Sequence, residues 1–251
     1  WARGATTMIA AWKLRLEAAL MSRETPEVLT IGMLQMLMRN ALAAEDSEPS
    51  DATFQRWLRE MAAARKLLQV IRGVYLNRMG HNDVSPAAAS HWIRARSVVS
   101  LAWVLEQAGV TNNFGDTITC VIPTDPTWTN PQISDRKTAL ATFRFFAMPA
   151  RLVNIGEVTE RLDDIQDPRF DYQRSTPEKA LMNWIHLGAP ARSRLTPPPM
   201  DLDIRLLDKQ RLARLARCMG IEGQFDEWQN TYAACQAAPD VRDNQAVNWR
   251  L

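Results

Sequence analysis

Ser50-Asp51-Ala52-Thr53-Phe54-Gln55-Arg56-Trp57-Leu58-Arg59-Glu60-Met61, continuing AAARKLLQVIRGVYLNR to Arg78, is the stretch whose reading decides the fold. Phe54, Trp57, Leu58 and Met61 fall at i, i+3, i+4 and i+7, the spacing of one buried helix face. Ser50 or Asp51 suits the N-cap, and Arg65 and Lys66 suit the negative C-terminal end. The period then changes. Leu67–Val70 and Val74–Leu76 read as two short strands joined through Ile71-Arg72-Gly73, with Gly73 free to take the positive φ of a tight turn. A helix with a polar, basic outer side followed at once by a basic-tipped hairpin is the pattern of a winged helix-turn-helix. In that arrangement the helix enters the major groove and the hairpin is the wing.

Upstream, Met8–Met21 reads as a helix with Ile9, Trp12, Leu16 and Leu20 on one side. Glu27-Val28-Leu29 is predicted as a short strand, and Thr30 caps a helix to about Ala43 with Leu34, Leu37 and Met38 inward. The order helix, strand, helix, helix, hairpin is the winged-helix order. The methionines Met33, Met36, Met38 and Met61 are read as core filling. This divides the chain into an N-terminal helical extension (1–24), a winged helix-turn-helix (25–80) against which helix 8–21 packs, a linker (81–96) and a C-terminal domain (97–251). The linker carries Gly80, Pro86 and Ala87-Ala88-Ala89 around it and has room for a short helix.

The C-terminal part is predicted to be mixed α/β, giving an α+β chain overall. Ser97–Gly109 reads as a helix, Thr117–Ile122 as a strand and Thr124–Arg136 as a loop. Thr142–Met148 and Arg151–Ile155 read as strands broken at Pro149. Thr176-Pro177-Glu178 opens a helix with a cap, a first-position proline and an acid at the positive end. Asp203–Met219 follows as a helix with Leu212, Leu215, Ala216 and Met219 inward and Arg211, Arg214 and Arg217 outward. Phe225–Ala237 is a last helix before a polar tail.

Composition narrows the function. In 251 residues, 46% hydrophobic and 23% charged, there is ample material for a core. The net charge of +2 excludes a uniformly basic coat. A local patch is present: between Asp51 and Arg78, six cations (Arg56, Arg59, Arg65, Lys66, Arg72, Arg78) face two acids (Asp51, Glu60), which is +4 and suits phosphate neutralisation. Cys120, Cys218 and Cys235 form no CxxC pair and suit reduced thiols in a cytoplasmic protein. No apolar run reaches the ~20 residues of a membrane span, and Lys13, Arg15 and Glu17 break up any leader-like start. His81, His91 and His186 are scattered, no phosphate-loop, nucleotide, serine-hydrolase or zinc motif occurs, and no cofactor is expected. Glu178-Lys179 has a faint nuclease flavour, and Asp163, Asp164 and Asp167 could hold a divalent cation, but capping and loop solvation explain both more simply.

The Arg72-Gly73-Val74-Tyr75 turn resembles the winged-helix part of the abortive-infection AbiEi-type antitoxins. So do VVSLAWVLEQAGV (98–110), FRFFAMPARL (143–152), and Ser175–Leu187 (STPEKALMNWIHL) followed by Asp201–Gly220. Together these cover most of Thr25–Trp228. The resemblance implies a type IV antitoxin and transcriptional regulator that binds repeats in its own promoter through the N-terminal winged helix. It also implies a C-terminal domain that counters a nucleotidyltransferase toxin. On this reading Thr53, Gln55, Arg56, Arg59, Arg65, Lys66 and Arg72 contact DNA. Arginine forks suit guanine, Lys66 suits a phosphate and Arg72 the minor groove. Arg211, Arg214 and Arg217 form a possible second basic face. The partner is double-stranded DNA, read by a monomer or homodimer, with no membrane involved. The rival expectations are a nuclease-like C-terminal domain, active or degenerate, and a ligand sensor.

Overall fold

The structure, a computed structural model, describes residues 10–43, 47–81, 83–112, 115–124, 132–154, 172–189 and 195–237. It is a mixed α+β chain with a three-stranded and a four-stranded sheet among those residues. Its backbone divides into two compact units: Trp1–Ile93 with Thr138–Leu140, and Arg94–Lys137 with Ala141–Leu251.

The first unit runs α1 (Ala11–Met21), β1 (Val28–Thr30), α2 (Ile31–Asn40), α3 (Asp51–Ala63), β2 (Leu67–Ile71) and β3 (Val74–Asn77). Met8 and Ile9, expected in the first helix, lie outside the described residues. The sheet is antiparallel throughout, in the order β1-β3-β2, with Val28 opposite Leu76 and Leu68 opposite Leu76 on the other side. The caps are side chains the sequence offers. Thr30 Oγ1 accepts the Met33 amide at 3.2 Å, and Ser50 Oγ accepts the Thr53 amide at 3.3 Å, each satisfying an otherwise orphan helix donor.

The core joins α1, α2 and α3 to the sheet. Trp12, Leu16, Leu20, Leu34, Met38, Phe54, Trp57, Leu58 and Leu67 form one buried cluster. Trp57 is fully buried, with Phe54 stacked on it at 5.7 Å and Trp12 meeting it edge-on at 6.1 Å. The N-terminal helix, expected to pack against this unit, thus supplies a wall of its core. A polar knot fixes the C-terminal end of α1. Buried Asn77 donates Nδ2 to Leu20 O at 2.9 Å and accepts the Met79 amide at 3.1 Å. Thr25 Oγ1 donates to Ala19 O at 2.6 Å, and His81 Nε2 lies 2.7 Å from Thr25 O.

The expected linker is folded. Pro86–Ala89 makes a 3-10 turn capped by Ser85, and α4 (Ser90–Ile93) continues it. Ala87, Ala88 and Ala89 are buried. The short helix for which the linker has room is thus present as this 3-10 turn and α4.

The second unit holds β4 (Val98–Val99), α5 (Ala102–Gln107), β5 (Thr117–Thr124), β6 (Gln132–Lys137), β7 (Thr142–Pro149), α6 (Ala150–Val153), α7 (Pro177–Gly188), α8 (Lys209–Met219) and α9 (Glu222–Ala237). The sheet order is β4-β5-β7-β6, with β5 and β7 parallel and the other pairs antiparallel. Phe143, Phe145, Val121, Leu181, Leu215 and Trp228 are among its buried side chains.

Four expectations are corrected here. Ser97–Gly109 is not one helix: the β-branched pair Val98-Val99 joins β5 opposite Val121 and Cys120, and the helix spans only Ala102–Gln107. Between them Leu101 takes φ 61°, ψ −140°, a region that costs a non-glycine residue ~1–3 kcal/mol. Thr119 Oγ1 helps hold the turn by donating to Ser100 O at 2.6 Å and accepting the Trp103 amide at 3.1 Å. Thr124–Arg136 is not simply a loop, because β5 runs through Thr124 and Gln132–Lys137 pairs with β7; residues 125–131 lie outside the described ones. Arg151–Ile155 is not a strand: after Pro149 the backbone turns into α6, Ala150–Val153. Asp203–Met219 is broken at Leu207, with a 3-10 turn over Ile204–Leu206 and a fresh start at Asp208, whose carboxylate accepts the Gln210 and Arg211 amides at 2.8 and 3.1 Å.

Candidate nucleic-acid interface

α3 has two chemically opposite sides. Phe54, Trp57, Leu58 and Met61 are buried. Thr53, Gln55, Arg56, Arg59 and Glu60 are exposed. At about 100° per residue, Ala52, Gln55, Arg56, Arg59 and Ala63 share the outward strip opposite the core. Small alanines thus flank one amide and two guanidinium groups. Arg59 Nε lies 3.3 Å from Gln55 O on the same helix, which lays its stem along the strip.

Thr53 belongs to the cap as much as to the surface: its Oγ1 lies 3.0 Å from Ser50 Oγ. Arg65 is exposed and takes φ 55°, the left-handed conformation that ends α3 and turns the chain into β2. Lys66 is held within the unit. Its Nζ lies 2.8 Å from Glu17 Oε2 on α1, with the lysine side chain 41% and the glutamate 19% exposed. The acid lies 49 residues upstream in sequence, so local spacing gave no sign of it.

The hairpin is tight. Ile71 pairs with Val74, leaving Arg72-Gly73 as the turn, and Gly73 has φ +83°, which a side chain would strain. Gly73 O accepts the Ile31 amide at 2.9 Å, extending the β1–β3 ladder to the start of α2. Arg72 is exposed at the tip.

In the second unit the possible basic face is only partly a face. Arg211 Nε lies 4.0 Å from Glu178 Oε2 with its side chain 22% exposed. Arg217 is exposed but lies 3.5 Å from Glu222. Arg214 is exposed.

Glu178 and Lys179 diverge. Glu178 Oε1 accepts the Asp208 amide at 3.2 Å, at the start of α8. Lys179 Nζ donates to Leu152 O and lies 3.5 Å from Met219 Sδ. The two side chains thus serve different neighbours and do not converge on a shared space. Asp163, Asp164 and Asp167 lie outside the described residues. Among the described residues no group of three or more His, Cys, Asp or Glu side chains is placed to hold a metal ion.

Burial displaces the acidities of three groups of the second unit. Burial pushes the Glu106 carboxyl up to about 7, against a backbone hydrogen bond with Gly115 that acts the other way. Burial lowers the His186 imidazole, helped by the positive charges of Arg151 and Lys179. Burial also raises the Cys120 thiol, which keeps it protonated. A cleft of about 620 Å³ is lined by Asp201, Asp203, Arg205, Lys209, Tyr232 and Gln236. Asp203 and Arg205 form an ion pair across its wall at 2.8 Å.

No family model and no curated protein matches this chain. Among solved structures it is similar to the RV2827C protein from Mycobacterium tuberculosis, with a TM-score of 0.47 at 17% sequence identity, covering 88% of this chain and 79% of that one. Among the described residues, no helix is long and apolar enough to cross a membrane.

Proposed function

We propose that the chain is a DNA-binding transcriptional regulator whose first unit is a winged helix-turn-helix, with α3 as the reading helix and the β2–β3 hairpin as a short wing. The observation that carries this reading is the outward strip of Gln55, Arg56 and Arg59, set opposite the buried Phe54-Trp57-Leu58-Met61 face. Two features support it: the β1-β3-β2 order of the sheet and Arg72 at the two-residue turn. Arg56 and Arg59 have the bidentate fork that fits the N7 and O6 of guanine, and Gln55 fits adenine. Arg65 and Arg72 serve phosphates or the minor groove on either side.

Within this reading the chain acts as a type IV antitoxin of the AbiEi kind. It represses its own operon and counters a nucleotidyltransferase toxin through the second unit. That part rests on the sequence resemblance over Ser175–Leu187 and Asp201–Gly220.

The DNA reading is tested by mobility shift on the promoter upstream of the chain's own gene. Arg59→Ala weakens binding by ~1–3 kcal/mol, and Arg56→Ala, Arg59→Ala and Arg72→Ala together abolish the specific shift. An unchanged shift in the triple variant removes the reading. The antitoxin part is tested by expressing the neighbouring open reading frame with and without this chain: growth arrest alone and rescue together support it, whereas no arrest, or arrest without rescue, removes it.

A further inference from the structure

α1 is apolar on both sides. Trp12, Leu16 and Leu20 are buried in the core. On the opposite side Ala11, Leu14, Ala18 and Met21 form an exposed stripe, with Leu14 55% and Met21 56% exposed. A second apolar stripe on the solvent side is not needed for the fold of the unit, and α3, with its polar outer strip, has no such stripe. The positions 11, 14, 18 and 21 follow the three-four-three spacing of a coiled-coil seam.

The helix also keeps its charges off this seam. Lys13 Nζ reaches Glu60 at 3.4 Å, Arg15 Nε donates to Ala41 O, and Glu17 receives Lys66 at 2.8 Å. Each charged side chain of α1 is thus engaged by another element of its own unit.

We propose that this stripe is the contact between two copies of the chain, packed antiparallel about a two-fold axis passing midway between Leu14 and Ala18. The order of sizes decides the partner and the direction. Along the seam the residues run small, large, small, large: Ala11, Leu14, Ala18, Met21. Reversing one copy sets 11 against 21 and 14 against 18, so every layer pairs one alanine with one large side chain. A parallel pair sets Leu14 on Leu14 and Ala18 on Ala18, crowded in one layer and empty in the next, which close packing disfavours. A second copy of the same helix is therefore complementary with no other sequence required, the condition for an isologous contact.

The seam is short. Eleven residues at about 1.5 Å each give a contact of ~16 Å, burying far less than the roughly 1,200 Å² of a stable complex. The association is accordingly weak and concentration-dependent in free protein. The inference goes beyond the DNA reading and does not depend on it.

The test uses the full chain without DNA. Sedimentation velocity over a concentration series is expected to show a reversible monomer–dimer equilibrium for the unaltered chain. Leu14→Glu and Ala18→Glu, both at exposed positions, are expected to stay monomeric, with melting curves establishing that they fold. In a Cys218→Ser, Cys235→Ser background, Leu14→Cys with Ala18→Cys is expected to oxidise to a covalent dimer several-fold faster than either single cysteine. Three results each overturn the proposal: a monomer at every concentration, a dimer that survives both glutamate variants, or Leu14→Cys alone cross-linking as fast as the pair. A failed mobility shift with an intact dimer would remove the DNA reading alone.

Discussion

Glu106→Gln should stabilise the second unit at neutral pH, and the gain should vanish in mild acid. Glu106 sits on α5 with 8% of its surface exposed, and burial raises its carboxyl from 4.5 to about 7. At ~1.4 kcal/mol per pH unit the full displacement corresponds to about 3 kcal/mol. The carboxyl keeps some exposure and a hydrogen bond with the Gly115 backbone, so part of this is discounted and ~1–2 kcal/mol is expected. The folded unit holds this proton more tightly than the unfolded chain. The contribution is therefore fully present below 4.5, falls as pH rises from 4.5 towards 7, and is lost above that. Glutamine keeps the shape and an acceptor for the Gly115 amide but never ionises. His186 works in the opposite sense: its lowered pKa makes stability rise with pH up to its ordinary value. For that reason the difference between variant and parent is the quantity to follow, since His186 cancels in it. Urea unfolding at about pH 4, 5, 6, 7 and 8, followed by Trp103 fluorescence with the other tryptophans replaced where tolerated, gives that difference. It should be near zero at the acid end and grow to ~1–2 kcal/mol at the alkaline end. A difference independent of pH would refute the buried-carboxyl account.

Further predictions concern the first unit. Gly80→Ala should destabilise it by ~1–3 kcal/mol, because an added Cβ would lie 2.8 Å from Leu20 O and 2.9 Å from Ser22 O, both backbone atoms of the knot that ends α1; chemical denaturation checks this. Ser50→Ala should cost ~1 kcal/mol through loss of the α3 cap, read in the same experiment. Lys66→Ala should leave the salt dependence of DNA binding nearly unchanged, since its ammonium lies 2.8 Å from Glu17, whereas Arg59→Ala should lower the slope by about one. Equal slopes for the two variants would contradict the assignment of Lys66 to Glu17.

Much of the first unit is legible in the sequence because its signals are local. The Phe54-Trp57-Leu58-Met61 period, the Thr30 and Ser50 hydroxyls and the Gly73 turn each act within a few residues, and each recurs in the structure where expected. What escapes is set by distant neighbours. The packing of α1 is read from its apolar spacing, but nothing near it in sequence reveals Asn77, whose amide reaches Leu20 O across 57 residues. Val98-Val99 lies inside a good helical pattern, yet the backbone bonds from Val99 to Gln173 and from Ser175 to Val99 hold it extended. The three arginines of α8 give the clearest lesson about sites. Spacing at i, i+3 and i+6 looks like one face, but each three-residue step falls about 60° short of a full turn, so Arg211 and Arg217 stand about 120° apart around the helix. Arg211 is carried round towards Glu178 and loses most of its exposure, while Arg217 stays in solvent beside Glu222. On α3 the exposed Arg56 and Arg59 are one three-residue step apart and straddle the pole opposite the core, with Ala52 and Ala63 beside them. That difference in angle, more than the number of cations, is why we propose the reading surface on the first unit.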